Sequence, residues 1–130
     1  MKLIQTNKAP SAIGPYSQAV SVNGMVYTSG QIALTPEGTD ELLSENVGVQ
    51  TVRVLENLKA VLEEAGSSMD SVIKTTIFLA DMDSFAIVNK IYEEAFGEHK
   101  PARSTVAVKT LPKNALVEVD AVALVNNYTF

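Results

Sequence analysis

With 130 residues, the chain is the length of one domain, 1–130, and such a domain buries about two-thirds of the surface its unfolded form exposes. Apolar residues make up 46% and charged residues 19%, a globular balance that excludes a disordered or fibrous chain, and a net charge of −5 disfavours a dedicated nucleic-acid binder. Cysteine is absent, which removes disulfides and thiolate chemistry together, and His99 is the sole histidine that a zinc site or a Ser-His-Asp triad would have to use.

The predicted elements begin with a short strand at Lys2 to Gln5. Segments Ser17–Val22 and Met25–Ser29 then flank Asn23-Gly24, residues that tolerate positive φ and so predict a two-residue hairpin. A turn at Thr35-Pro36-Glu37-Gly38 leads to an amphipathic helix from an N-cap at Ser44 to Gly66, with Val52, Leu55, Leu58, Leu62 and Ala65 at spacings of three and four. Val72–Leu79, rich in β-branched residues, reads as a strand ending before Asp81 and Asp83, either of which can cap the next helix. That helix carries Phe85, Val88, Tyr92, Ala95 and Phe96 on one side and stops at Gly97. Strands at about Arg103–Lys109 and Leu116–Val125, joined by a turn at Pro112-Lys113-Asn114, complete the order β-β-β-α-β-α-β-β.

Right-handed crossovers put both helices on one face of a mixed sheet, an α+β arrangement. The opposite face is left uncovered and rich in Val, Ile and Leu, so a second copy of the chain is expected to cover it. The N-terminus lacks the apolar core of a signal peptide, and no segment approaches the ~20 apolar residues of a membrane span. A cytoplasmic protein with no membrane partner is expected.

Several residues can carry chemistry. Arg103 opens a strand and shares its face with Thr105, Ala107 and Lys109; its guanidinium suits a carboxylate bidentately, though pattern alone favours a solvated strand-end charge. Glu118 shares a face with Leu116, Asp120, Val122 and Leu124. Burial would raise the pKa of either carboxyl and suit it to acid/base work, and an edge strand blunted by charge explains the spacing equally well. Tyr16 follows the rigid Gly14-Pro15 turn, and Ser29-Gly30 ends a strand where a ligand can approach the backbone; packing and turn roles explain each equally simply. Asn89 reads as a solvated helix position, and His99 as a surface residue complementing a helix dipole. Dinucleotide, P-loop, HExxH and GxSxG motifs are missing, so nothing points to those chemistries.

Taken together, GPYSQAV at 14–20, YTSGQI at 27–32, FLADM with the following Phe85 and Val88-Asn89 at 78–89, PARSTV at 101–106 and VEVDAVA at 117–123 resemble the RidA/YjgF family of reactive intermediate deaminases. The resemblance spans nearly the whole chain with its motifs in order. It implies a chorismate-mutase-like α+β fold and a homotrimer whose sheets form a central barrel, with clefts between subunits. The implied activity is hydrolysis of 2-imino acids (2-iminobutanoate, 2-iminopropanoate), released by pyridoxal-phosphate dehydratases, to 2-keto acids and ammonia, with no cofactor and no metal. Carried over by position, Arg103 grips the substrate carboxylate and Glu118 positions or activates water. Tyr16, Ser29, Gly30 and Asn89 line the pocket. Thr105 stands where many members have cysteine; this removes a thiol role but leaves it lining the site. Competing readings are a non-catalytic sensor of 2-keto or amino acids, a ribonuclease or translation inhibitor, and a chaperone.

Overall fold

The computed structural model describes residues 1–126. Its elements follow the expected order: β1 (Lys2–Ile4), β2 (Ala19–Val22), β3 (Met25–Thr28), α1 (Val47–Glu64), β4 (Val72–Leu79), α2 (Phe85–Phe96), β5 (Ala102–Ala107) and β6 (Val117–Leu124). The six strands form one mixed sheet in the order β1-β2-β3-β6-β4-β5, parallel only between β4 and β5, the pair that α2 connects. Asn23 and Gly24 turn the β2–β3 hairpin with φ of 50° and 79°, the left-handed conformations these two residues tolerate.

Both helices pack on one face. Val54, Leu58, Val61 and Leu62 of α1 and Val88, Tyr92 and Phe96 of α2 meet Val117, Val119, Ala121 and Ala123 of β6. Burying a leucine such as Leu58 contributes about 1.5–3 kcal/mol, so the alternation of β6 is strongly fixed: odd positions lie under the helices and Glu118, Asp120, Val122 and Leu124 lie on the open face. That strand is central, paired with β3 on one side and β4 on the other, which removes the edge-strand explanation of its carboxylates.

Four local expectations are corrected. The N-cap of α1 is Asn46, whose side chain accepts from Val49 N–H at 3.0 Å, while Ser44 ends a preceding 3-10 turn. Val52 points outward, and the helix instead buries the polar Gln50, Thr51 and Asn57. Each has partners: Asn57 Nδ2 donates to the carbonyls of Ile32 and Leu34, and Gln50 donates to those of Leu43 and Glu45 and accepts from Leu116 N–H. At the second helix, Asp81 caps a 3-10 turn by accepting from Asp83 N–H, and Phe85 and Ala95 stay outside the core. His99 is half-buried, and its Nε2–H donates to the Val72 carbonyl at 2.6 Å, tying the loop after α2 to the start of β4.

The other sheet face has no helix of the described residues over it, and Leu3, Tyr27, Val106 and Leu124 stand exposed there. Among those residues no helix is long and apolar enough to cross a membrane.

Candidate active site

The site residues expected from the sequence fall into two groups. The first surrounds a cleft of about 490 Å³ lined by Tyr16, Ser29, Gly30, Ile32, Leu34 and Glu118. Its wall is held by Gln18, which is fully buried: its Oε1 accepts from Thr6 N–H at 2.7 Å and its Nε2 donates to the carbonyls of Thr6 and Pro10 at 3.1 and 2.9 Å. This strap ties the backbone of residues 6–10 to Gln18, and the chain from Pro10 to Ile13 lines the cleft. Ser29 is fixed at both ends, its N–H donating to the Gln18 carbonyl at 2.9 Å and its hydroxyl to the Ser17 carbonyl at 2.5 Å. Tyr16 covers the mouth, half exposed, with its hydroxyl accepting from Ile13 N–H at 3.3 Å.

Glu118 reaches this cleft because Gln31 and Val119 exchange backbone hydrogen bonds of 2.9 and 3.2 Å, which lay Gly30 alongside the strand. The carboxyl then rests over the Gly30 backbone; a Cβ at that position would sit 2.5 Å from Glu118 Oε2. Glycine is thus required by close approach and not by φ, which is not positive there. Burial pushes the Glu118 carboxyl above the usual carboxylate range, and the neighbouring Asp120 pushes it further. Asp120 is itself raised by burial, an effect countered by a hydrogen bond from the Thr76 backbone and by the Lys74 ammonium.

The second group surrounds Arg103, at a smaller cleft of about 350 Å³ that Asn89, Tyr92, His99 and Lys100 share. Arg103 pairs in register with Thr75, which is fully buried, so its side chain lies on the helix face of the edge strand β5. Its Nη1 donates to Asn89 Oδ1 at 2.7 Å, and its guanidinium carbon lies 5.0 Å from the Tyr92 ring centroid and 5.6 Å from that of Phe85. Thr105 is two residues on, on the same face, and its buried hydroxyl has no hydrogen-bond partner among the described residues.

Glu118 pairs with Phe78 and projects from the opposite face. The sheet of a single chain therefore brings Tyr16, Ser29, Gly30 and Glu118 together, brings Asn89 and Arg103 together with Thr105 farther along the same strand face, and keeps the two sets apart. Sequence reasoning missed Gln18 as the strap of the first group and the aromatic surroundings of Arg103 in the second. The spacing of Phe85, Asn89 and Tyr92, which puts all three on one helix face, was the available signal.

A family profile described as Endoribonuclease L-PSP matches residues 6–125. Reactive Intermediate Deaminase A of the Arabidopsis thaliana chloroplast is 46% identical over 122 residues, covering 94% of this chain and 65% of that protein. The chain belongs to the RidA/YjgF/L-PSP family. A RutC family protein of Synechocystis is 53% identical over 125 residues, covering 95% and 96% of the two chains. Among solved structures, Escherichia coli TdcF with bound serine superposes with a TM-score of 0.89 at 42% identity, covering 95% of this chain and 98% of that one. The RidA/YjgF family thus accounts for the mixed six-stranded sheet with two helices on one face.

Proposed function

We propose that this protein hydrolyses 2-imino acids, 2-iminobutanoate and 2-iminopropanoate among them, to 2-keto acids and ammonia, in a cytoplasmic homotrimer whose sites lie between subunits. The observation that carries this reading is the division of the site residues: a carboxylate clamp stands at a sheet edge on one face, and a carboxyl of raised pKa stands in a cleft on the other. Arg103, Asn89 and Thr105 of one copy would complete the cleft of Tyr16, Ser29, Gly30 and Glu118 in a second. The exposed Leu3, Tyr27, Val106 and Leu124, between 42% and 64% accessible, supply apolar surface for copies to bury.

In this site the guanidinium of Arg103 holds the substrate carboxylate and so fixes the adjacent C=N carbon. The Glu118 carboxylate takes a proton from water as the oxygen attacks that carbon, and the C=N π electrons move to the protonated imine nitrogen, giving a neutral amine. Glu118 returns the proton to that nitrogen. The C–N bond then breaks as the hydroxyl oxygen passes its proton to the Glu118 carboxylate and closes the C=O bond, releasing a 2-keto acid and ammonia, which takes that proton from Glu118 and leaves as ammonium. Imines of this kind hydrolyse unaided, so a modest acceleration suffices, and no cofactor enters any step.

The name of the Arabidopsis relative supports the reaction class, and the serine in TdcF supports recognition of a small 2-amino acid skeleton within the family. That serine also favours a second reading, a non-catalytic sensor of amino or keto acids. An endoribonuclease role is disfavoured by the net charge of −5 and by the engagement of His99 with the Val72 carbonyl.

Trapping separates these readings. A threonine dehydratase acting on threonine, with semicarbazide present, converts released imine to semicarbazone; added protein is expected to divert imine to 2-ketobutyrate. Undiminished semicarbazone at micromolar protein would remove the deaminase and leave the sensor. Arg103→Lys is expected to lose most of this activity although it keeps the charge, because the fork is gone; unchanged kinetics would remove the clamp.

A further inference from the structure

The geometry points to Tyr92 and Phe85 as positioning residues for the carboxylate clamp: with Asn89 they hold the Arg103 guanidinium so that one edge of its fork is committed and the rest is offered to a ligand. This rests on the proposed role of Arg103 and adds what makes that role possible.

A strand-end arginine in water loses side-chain entropy when it binds, and that loss weakens the grip. Here the guanidinium is already placed. Phe85, Asn89 and Tyr92 sit at i, i+4 and i+7 on α2, one stripe facing β5. The two rings flank the guanidinium at 5.6 and 5.0 Å, within the range of cation–π attraction. Asn89 Oδ1 accepts a hydrogen bond from Nη1, so Asn89 acts through Arg103; the Nε and Nη2 edge, the geometry of a side-on fork, has no hydrogen-bond partner among the described residues.

The platform is itself anchored from the core. Tyr92 is 7% exposed, its hydroxyl is hydrogen-bonded to the Thr75 hydroxyl at 2.7 Å, and its ring packs on Phe96 at 4.6 Å between centroids. Because Thr75 is the register partner of Arg103, hydroxyl, ring and guanidinium lie at one level of the sheet. Phe85, 38% exposed and outside the core, gains a reason for its aromatic ring from the cation it faces.

The chain has only two arginines, Arg53 and Arg103, so arginine-selective NMR reads the arrangement without any substrate. In the wild type, the Arg103 side-chain signals are expected to be shifted by the rings and to show slowed guanidinium rotation, with Arg53 as the internal reference. Tyr92→Leu and Phe85→Leu should abolish the shift and Tyr92→Phe should keep it; signals unmoved by the leucine variants would overturn the proposal. Phe85→Leu, at a partly exposed position, keeps the test readable should Tyr92→Leu unfold.

Binding of 2-ketobutyrate by calorimetry gives the second readout. Each leucine variant is expected to bind about tenfold more weakly, Tyr92→Phe to bind as the wild type does, and the leucine changes to add nothing once Arg103 is lysine. Full additivity in the Arg103→Lys background would overturn the positioning role. Coupled binding losses in a protein without imine hydrolysis would instead sink the deaminase reading and leave the clamp standing.

Discussion

Gly30→Ala adds one methyl group where the Glu118 carboxyl lies over the backbone. The new Cβ would stand 2.5 Å from Oε2, 2.7 Å from Cδ and 3.0 Å from Cγ, whereas ordinary contact begins at 3.4 Å, so the carboxyl must retreat by about 1 Å. The retreat is easy for the fold, because what moves is the end of a flexible side chain, and the φ at Gly30 is not positive and admits alanine. Loss of glycine also removes unfolded-state entropy, a stabilisation of about 0.4–1 kcal/mol. For the proposed hydrolysis the same displacement would be costly, since about 1 Å of misplacement corresponds to about a 10²-fold loss of rate. The trapping assay should therefore show kcat/KM about a hundredfold lower while thermal melting is unchanged or slightly higher. A wild-type rate would mean that the resting place of Glu118 over Gly30 is irrelevant to the chemistry; a large loss of stability would mean that the carboxyl cannot move aside as the geometry implies.

Four further outcomes follow from the structure. The base role proposed for Glu118 requires the ionised carboxylate, so activity should fall as pH drops through its raised pKa, and the acid limb of kcat/KM should lie above the ordinary carboxylate range. Asp120→Asn removes the neighbouring charge and should move that limb to lower pH; an unmoved limb would assign it to another group. A carboxyl whose folded pKa is raised binds its proton more tightly when folded, so stability is full below the unfolded pKa and falls as pH rises through the folded one. Glu118→Gln is accordingly expected to melt higher than wild type at neutral pH, with the gap closing in acid; a gap that widens in acid would reverse the assigned shift. Asn57→Leu strips the donors from the buried carbonyls of Ile32 and Leu34 and should cost about 2–4 kcal/mol in denaturant unfolding, and a neutral result would show that water replaces them.

Much of the fold was legible because single residues dictate local geometry. Asn23-Gly24 permits the left-handed hairpin, and the alternation of Val117 to Leu124 fixes which side chains meet the helices. Pattern reading failed where polar groups are buried. Gln50 and Asn57 look like solvent positions in a helical repeat, but they anchor loop carbonyls, and the partners that reveal this lie up to 66 residues away in sequence. Ser44 looked like the cap of α1 because it precedes the apolar repeat, and Asn46 prevails because its carboxamide reaches Val49 N–H. For the candidate site, the residue types were readable and their faces were not. Period two separates Arg103 from Ser104, yet only the register with Thr75 on β4 and of Glu118 with Phe78 shows that Arg103 and Glu118 leave the sheet on opposite sides.

That separation makes mixing of subunits the most direct measurement. Arg103→Ala and Glu118→Gln, each expected to be inactive alone, are co-refolded in equal amounts and assayed for diversion of imine from semicarbazide. In a cyclic trimer with sites between copies, every mixed assembly contains one intact site of three, and about three-quarters of assemblies are mixed, so about one quarter of wild-type activity should return. Mixed trimers, verified by mass, that stay as inactive as their parents would contradict a site shared between copies and place clamp and base in separate functions.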